Sequence, residues 1–324
     1  MALHLPFKPD VKLVDVLKKN SFTLSAEVIP PRNGAEQGKV LEQIRTLIDA
    51  GAEFLAVTKG AGGSLRGGSL PIAQVIKEQY GVPCIAHFTC RDLTKEDVEN
   101  QLMDHHYFGI RNILALRGDP PDGNPQWQPK EGGHRYAYQL IEQIVNLNHG
   151  KYLTRAGSGG ALESTSDAPE ATDFCIGAAA YPEHPNEAER IDFFKLKIEA
   201  GAQYGITDMI FDPDFYARFL DLCAKKGVRV PILPGTRLLK TRAQAERMAT
   251  KFRVSIPAET LAALPETDGP DAVSYGLDLL LKRVERLKSL GAPGIHLYVI
   301  SDTIGASRSL TQLAQNKKQG NQIK

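Results

Sequence analysis

Eight short apolar runs alternate with amphipathic helical stretches along this chain, and no other feature limits its fold as strongly. The runs are Thr23 to Val28, Phe54 to Thr58, Cys84 to Thr89, Asn112 to Leu116, Phe174 to Ala178, Gly205 to Phe211, Val230 to Leu233 and Ile295 to Val299. Between them the spacing predicts helices over Gly38 to Ala50, Ser69 to Gln79, Lys95 to Tyr107, Tyr136 to Leu147, Glu187 to Ala200, Pro213 to Lys225, Arg242 to Lys251 and Asp271 to Leu290. Val40, Leu41, Ile44, Leu47 and Ile48 carry the helical period, as do Val273, Leu277, Leu280 and Val284. Strands alternating with helices imply parallel βαβ units. Eight such units in 324 residues predict an α/β chain folded as one (β/α)8 TIM barrel spanning 1–324. An extra amphipathic helix is expected at Val11 to Lys19, and a flexible loop insertion at 150–172.

The rival is a doubly wound open sheet. Its dinucleotide fingerprint is missing, because Gly60 and Gly62 are followed by Leu65 where G-x-G-x-x-G needs its last glycine. No Walker A sequence is present either. Pro120 to His134, rich in Pro and Gly and holding the single tryptophan, Trp127, is read as a lid over the barrel mouth.

Lys plus Arg and Asp plus Glu balance at 39 against 38, so no global field draws nucleic acid or an acidic membrane surface. The apolar runs fall well short of the roughly 20 residues that span a bilayer. The segment from Met1 to Phe7 has neither a cationic start nor a long apolar core, so no signal peptide is expected. Cys84, Cys90, Cys175 and Cys223 show no CxxC spacing, which predicts reduced thiols in a cytoplasmic protein rather than disulfides or a zinc site.

In a barrel the carboxyl ends of the strands converge on one face. Those ends carry Glu27 with Pro30, Pro31 and Arg32; Thr58 and Lys59; His87 with Thr89, Arg91 and Asp92; Arg117 with Asp119; Tyr181 with Glu183 and His184; and Asp208 with Asp212. Arg117-Gly118-Asp119 stops a strand abruptly before two prolines, which reads either as catalytic machinery or as a strand-end salt bridge. Glu27 lies in an apolar strand. Facing inward, it would be a buried, protonated general acid; facing outward, a solvated glutamate. His87 reads as a base, a core hydrogen-bonding residue or, least well supported, a metal ligand, since no second ligand stands at suitable spacing. Lys195 and Lys197 are either a solvated helix face or cations for phosphate or carboxylate groups.

Read together, Ala26-Glu27-Val-Ile-Pro-Pro-Arg32, Val57-Thr58, His87-Phe-Thr89-Cys90, Leu114-Ala-Leu-Arg-Gly-Asp119-Pro, Ala179-Ala-Tyr-Pro-Glu183-His184, Leu196-Lys197, Ile206-Thr207, Phe211-Asp212 and Pro234-Gly235 form an ordered set. In that set, over nearly its full length, the chain resembles the methylenetetrahydrofolate reductase family, in its longer bacterial form. The resemblance implies a barrel that binds FAD at the carboxyl ends of its strands and passes hydride from flavin N5 to 5,10-methylenetetrahydrofolate, giving 5-methyltetrahydrofolate for methionine biosynthesis. Glu27 then matches the general acid that opens the five-membered ring to an iminium. Asp119 matches the aspartate near flavin and pterin that stabilises that cation. Thr58, His87, Arg117, Gly118, Asp119, Tyr136, Ala180, Tyr181, His184 and Lys197 match FAD-contacting positions; Glu27, Asp119, Asp208 and Arg242 match folate contacts.

Three positions depart from the family pattern. Asp208 replaces a glutamine, and as a carboxylate it still accepts hydrogen bonds from a pterin. Lys59 and Arg242 stand where aromatics are usual. NAD(P)H is the expected electron donor and a homo-oligomer the expected state. Alternatives are a partner protein as donor, or a flavin-binding subunit without folate turnover.

Overall fold

The computed structural model describes residues 5–31, 34–60, 67–121, 124, 126–154 and 169–322. Its eight strands are β1 (Thr23–Val28), β2 (Phe54–Val57), β3 (Cys84–Thr89), β4 (Asn112–Leu116), β5 (Cys175–Ala180), β6 (Tyr204–Met209), β7 (Ile232–Thr236) and β8 (Gly294–Tyr298). They close in sequence order, β1 pairing with both β2 and β8, and every pairing is parallel. The expected (β/α)8 barrel is therefore present. Nearly every strand residue is buried, as continuous apolar runs in a parallel sheet require.

The helices are α1 (Leu13–Lys19), α2 (Gln37–Asp49), α3 (Ser69–Tyr80), α4 (Lys95–Tyr107), α5 (Ala137–Asn148), α6 (Glu187–Glu199), α7 (Pro213–Lys225), α8 (Arg242–Phe252), α9 (Ala258–Ala263), α10 (Pro270–Ser289) and α11 (Thr303–Gln322). Two of them, α9 and α11, were not expected from the sequence. The signal in α11 is Ala306, Leu310 and Leu313, buried at helical spacing in an otherwise polar stretch.

Strand periodicity sorts the core into two layers. Leu24, Ala26 and Val28 of β1 join the outer cluster beneath the helices, and Phe54, Ala56, Ile85, Leu114, Cys175, Tyr204, Ile206 and Leu233 fill the inside. One end of that interior is stoppered by α1, whose Leu13, Val16 and Leu17 pack into the inner cluster. Asn112 secures the stopper: its Oδ1 accepts the Leu13 amide at 2.7 Å, and its Nδ2 donates to Val11 O at 2.9 Å. Glycines admit the largest inner rings. A Cβ at Gly177 would run into Tyr204, and one at Gly235 into Tyr298.

Of the expected insert, residues 155–168 lie outside the described residues. Its two ends are joined where the Tyr152 hydroxyl donates to Glu170 O at 2.6 Å. Arg32, residues 61–66 of the glycine-rich loop, and residues 122, 123 and 125 of the expected lid also lie outside them. All four cysteines are buried and free, and the described residues contain no cluster of metal-ligating side chains. Among the described residues no helix is long and apolar enough to cross a membrane.

Candidate active site at the carboxyl ends of the strands

Glu27 faces inward. On β1 the inward positions are Thr23, Ser25 and Glu27, all buried, and Glu27 is only 6% exposed. Burial pushes its carboxyl up to about 8. His87 on β3 stands beside it, with Nε2 3.9 Å from Glu27 Oε2. Burial drives that imidazole down to about 4. Near neutral pH both groups are uncharged, so they form no ion pair, and 3.9 Å is too long for a hydrogen bond.

The loop after β4 is held open by its neighbour after β3. Arg91 donates its amide to Arg117 O at 2.9 Å and its Nη1 to Asp119 O at 2.8 Å. Gly118 between them has φ 93, and a Cβ there would stand 2.8 Å from Arg91 Cβ, so the turn requires glycine. The indole of Trp127 donates to Asp92 Oδ1 at 3.1 Å, fixing the following segment to the same corner.

Lys197 reaches the strand ends from α6. Its ammonium donates to Ala179 O at 2.8 Å and lies 5.3 Å from the centroid of the Tyr181 ring. Burial, with Arg117 adding a like charge, lowers its pKa to about 8. Lys195 points elsewhere and pairs with Glu199 at 3.4 Å on the surface. Lys195 thus lies on a solvated helix face, while Lys197 is turned toward the strand ends.

Asp208 sits where the β6–β7 register slips between Ile206 and Met209. Thr207 Oγ1 accepts the Gly235 amide at 2.9 Å, and Thr207 O accepts the Tyr298 hydroxyl at 2.8 Å, so the irregularity is bonded in place. Burial, with Glu183 adding a like charge, raises Asp208 to about 7. Its Oδ1 is buried and has no hydrogen-bond partner.

These side chains surround one cavity of about 1090 Å³. Glu27, Thr58, His87, Arg117, Gly118, Asp119, Tyr136, Tyr181, His184, Lys197 and Asp208 all line it. Two expected residues do not. Ala180 belongs to the outer core, and Ala179 takes the wall position beside it. Arg242 opens α8, where its Nη1 pairs with Glu266 at 2.7 Å and its Nε donates to Leu261 O at 3.1 Å. Those partners hold its guanidinium in the α8–α9 corner. Residues not singled out from the sequence also form the wall, among them Met209, Phe193, Arg190, Phe252, Tyr298 and Ile300. For Tyr298 the period-two alternation of β8 was the available signal.

A family model for methylenetetrahydrofolate reductase matches residues 12–314. The chain belongs to the methylenetetrahydrofolate reductase family. Methylenetetrahydrofolate reductase (NADH) 1 of Arabidopsis thaliana is 29% identical over 313 residues, covering 94% of this chain and 51% of that protein. The chain therefore spans about half the length of such plant relatives. The 5,10-methylenetetrahydrofolate reductase of Salmonella typhimurium is 29% identical over 87% of this chain and 88% of its own length. Among solved structures, an uncharacterised Clostridium thermocellum protein that binds two copies of 5-methyl-5,6,7,8-tetrahydrofolic acid shares the fold. Its TM-score is 0.57 at 17% identity, over 94% of this chain and 99% of that one. Membership of the reductase family thus accounts for the ordered motifs, and the closed barrel of this chain for their convergence.

Proposed function

We propose that this chain reduces 5,10-methylenetetrahydrofolate to 5-methyltetrahydrofolate with bound FAD, drawing electrons from NAD(P)H. The observation that carries the reading is Glu27, a carboxyl that keeps its proton at neutral pH in the wall of a large cavity at the strand ends. Family membership supports folate reduction in general.

The residues present fit FAD. Burial lowers the pKa of Lys197 and the like charge of Arg117 lowers it further, a penalty that an anionic pyrophosphate between them would relieve. Thr58 Oγ1 and His87 Nε2 are buried polar atoms without partners. Gly118 brings backbone to the wall with no side chain in the way. These residues, with Asp119, Tyr136, Tyr181 and His184, would hold the cofactor; Ala180, whose side chain is in the core, would contribute backbone. Bound there and reduced by NAD(P)H, the flavin would supply the hydride that the methylene carbon accepts.

The chain's own residues do the rest. Glu27 gives its Oε proton to the ring nitrogen that leaves when the five-membered ring opens. Asp119 places negative charge beside the resulting cation. Asp208 accepts N–H groups of the pterin through its unpartnered Oδ1.

An anaerobic spectrum tests the proposal. FAD-loaded protein should bleach with NADH or NADPH and recover its oxidised flavin bands on addition of 5,10-methylenetetrahydrofolate. Flavin that resists both nicotinamides yet, once reduced by dithionite, is reoxidised by the folate would shift the donor to a partner protein. Flavin that the folate fails to reoxidise would contradict the reading.

A further inference from the structure

Arg283 of α10 is buried, and burial lowers its guanidinium to about 10, yet among the described residues it pairs with no carboxylate. Its bonds go to the ends of two strands instead. Nε donates to Phe211 O at 3.2 Å, just past β6, and Nη1 donates to Thr236 Oγ1 at 3.0 Å and to Arg237 O at 3.3 Å, at the end of β7. The guanidinium also lies 5.0 Å from the centroid of the Phe211 ring. A charge buried without an opposite charge is costly, and an apolar side chain of similar size would avoid that cost. What sets arginine apart here is therefore the three bonds it makes.

Those bonds fall on the frame of one irregularity. The register of β6 against β7 slips between Ile206 and Met209, and Asp208 lies within the slip. On either side of it, Thr207 and Ile210 both return to Gly235, whose amide donates to Thr207 Oγ1 at 2.9 Å and whose carbonyl accepts the Ile210 amide at 2.8 Å. Thr236 Oγ1 in turn donates to Ile210 O at 2.8 Å. Arg283 thus holds the far side of the slip twice, through the Thr236 hydroxyl and through the Phe211 carbonyl. An irregularity of this kind re-aims the side chains within it, and the direction they take depends on how its ends are held. Resting on the folate reading above, we infer that Arg283 is the positioning residue for Asp208: it fixes the strand end beyond the slip, and with it the direction in which the Asp208 carboxylate enters the cavity. Arg283 is not among the side chains that line the cavity, so it acts through that strand.

Calorimetric titration of the FAD-loaded protein with 5-methyltetrahydrofolate tests this in a double-mutant cycle. Arg283→Met should weaken binding of the folate by about fivefold, within the range of couplings found between residues of one hydrogen-bond network. In an Asp208→Ala background the same change should cost less than about twofold, because the carboxylate it positions is gone. The dissociation constant for FAD should stay at the parent's value in the Arg283 variant. Should Arg283→Met fail to fold, Thr236→Val, which removes only the hydroxyl between Arg283 and Ile210, decides in the same cycle with the same expected pattern. Equal losses with and without Asp208, no loss in the deciding variant, or a matching loss of FAD affinity would overturn the assignment and leave the folate reading standing. A parent that does not bind 5-methyltetrahydrofolate removes both.

Discussion

A carboxyl buried to 6% exposure beside a neutral imidazole keeps its proton past neutrality, and for Glu27 this has a consequence for stability as well as for chemistry. The unfolded glutamate ionises at 4.5, while the folded one ionises at about 8. Between those values the native state holds a proton that the unfolded state releases, so the contribution of Glu27 to stability falls as pH rises through that window. Glu27→Gln removes the penalty. The variant should match the parent below pH 4.5 and exceed it by roughly 5 kcal/mol well above pH 8, read from urea denaturation at both ends. A difference that does not change with pH would mean that Glu27 is solvated. Asp208 makes the opposite demand, because only its ionised form offers both oxygens as charged acceptors to N–H donors. With its pKa raised to about 7, the KM for the folate should rise as pH falls below 7. Asp208→Asn should flatten that profile, and Asp208→Ala should raise KM about tenfold or more, the worth of a hydrogen bond to a charged group. An unchanged KM in Asp208→Ala would place the pterin elsewhere.

At the scale of elements, α1 closes the end of the barrel away from the cavity. Leu13 is fully buried there, and Leu13→Ala should cost about 3 kcal/mol in denaturant unfolding while the surviving folded protein keeps its KM for the folate. A changed KM would mean that the stopper is coupled to the site. The strands were legible because each is a continuous apolar run, and β1, β3 and β4 fall where the sequence puts them. Glu27, Arg117 and Asp119 were legible for the same reason, since a strand end is a position that the sequence marks. By contrast, α11 was hidden by its polar surface and by Gly305, which stands in its first turn. Phe252 was missed because the helical pattern fades at Lys251, and only the left-handed turn at Arg253 shows which way the ring points. Arg242 was placed by correspondence along the chain, but its partner Glu266 follows α9, a helix that the sequence did not reveal. Side chains on strands inherit their direction from period two; side chains at helix ends depend on contacts made elsewhere.

Over the whole molecule, closure of the sheet gathers residues from β1, β3, β4, β5, β6 and β8, with Thr58 just past β2, around a single cavity, and α6 adds Lys197 to it. The result is one chamber with cations at Arg117 and Lys197, a carboxyl group that stays neutral at Glu27, and apolar side chains at Met209, Phe252 and Ile300. In the proposed reading Glu27 gives its proton to the folate and takes no part in flavin reduction, so the two half-reactions should be separable at that residue. Anaerobic stopped-flow on FAD-loaded Glu27→Gln is the most direct measurement. Flavin reduction by NADH should proceed at the parent rate, while reoxidation by 5,10-methylenetetrahydrofolate should slow by roughly 10²- to 10⁴-fold, the contribution of a general acid. Reoxidation at the parent rate, or loss of the flavin itself, would contradict the role given to Glu27.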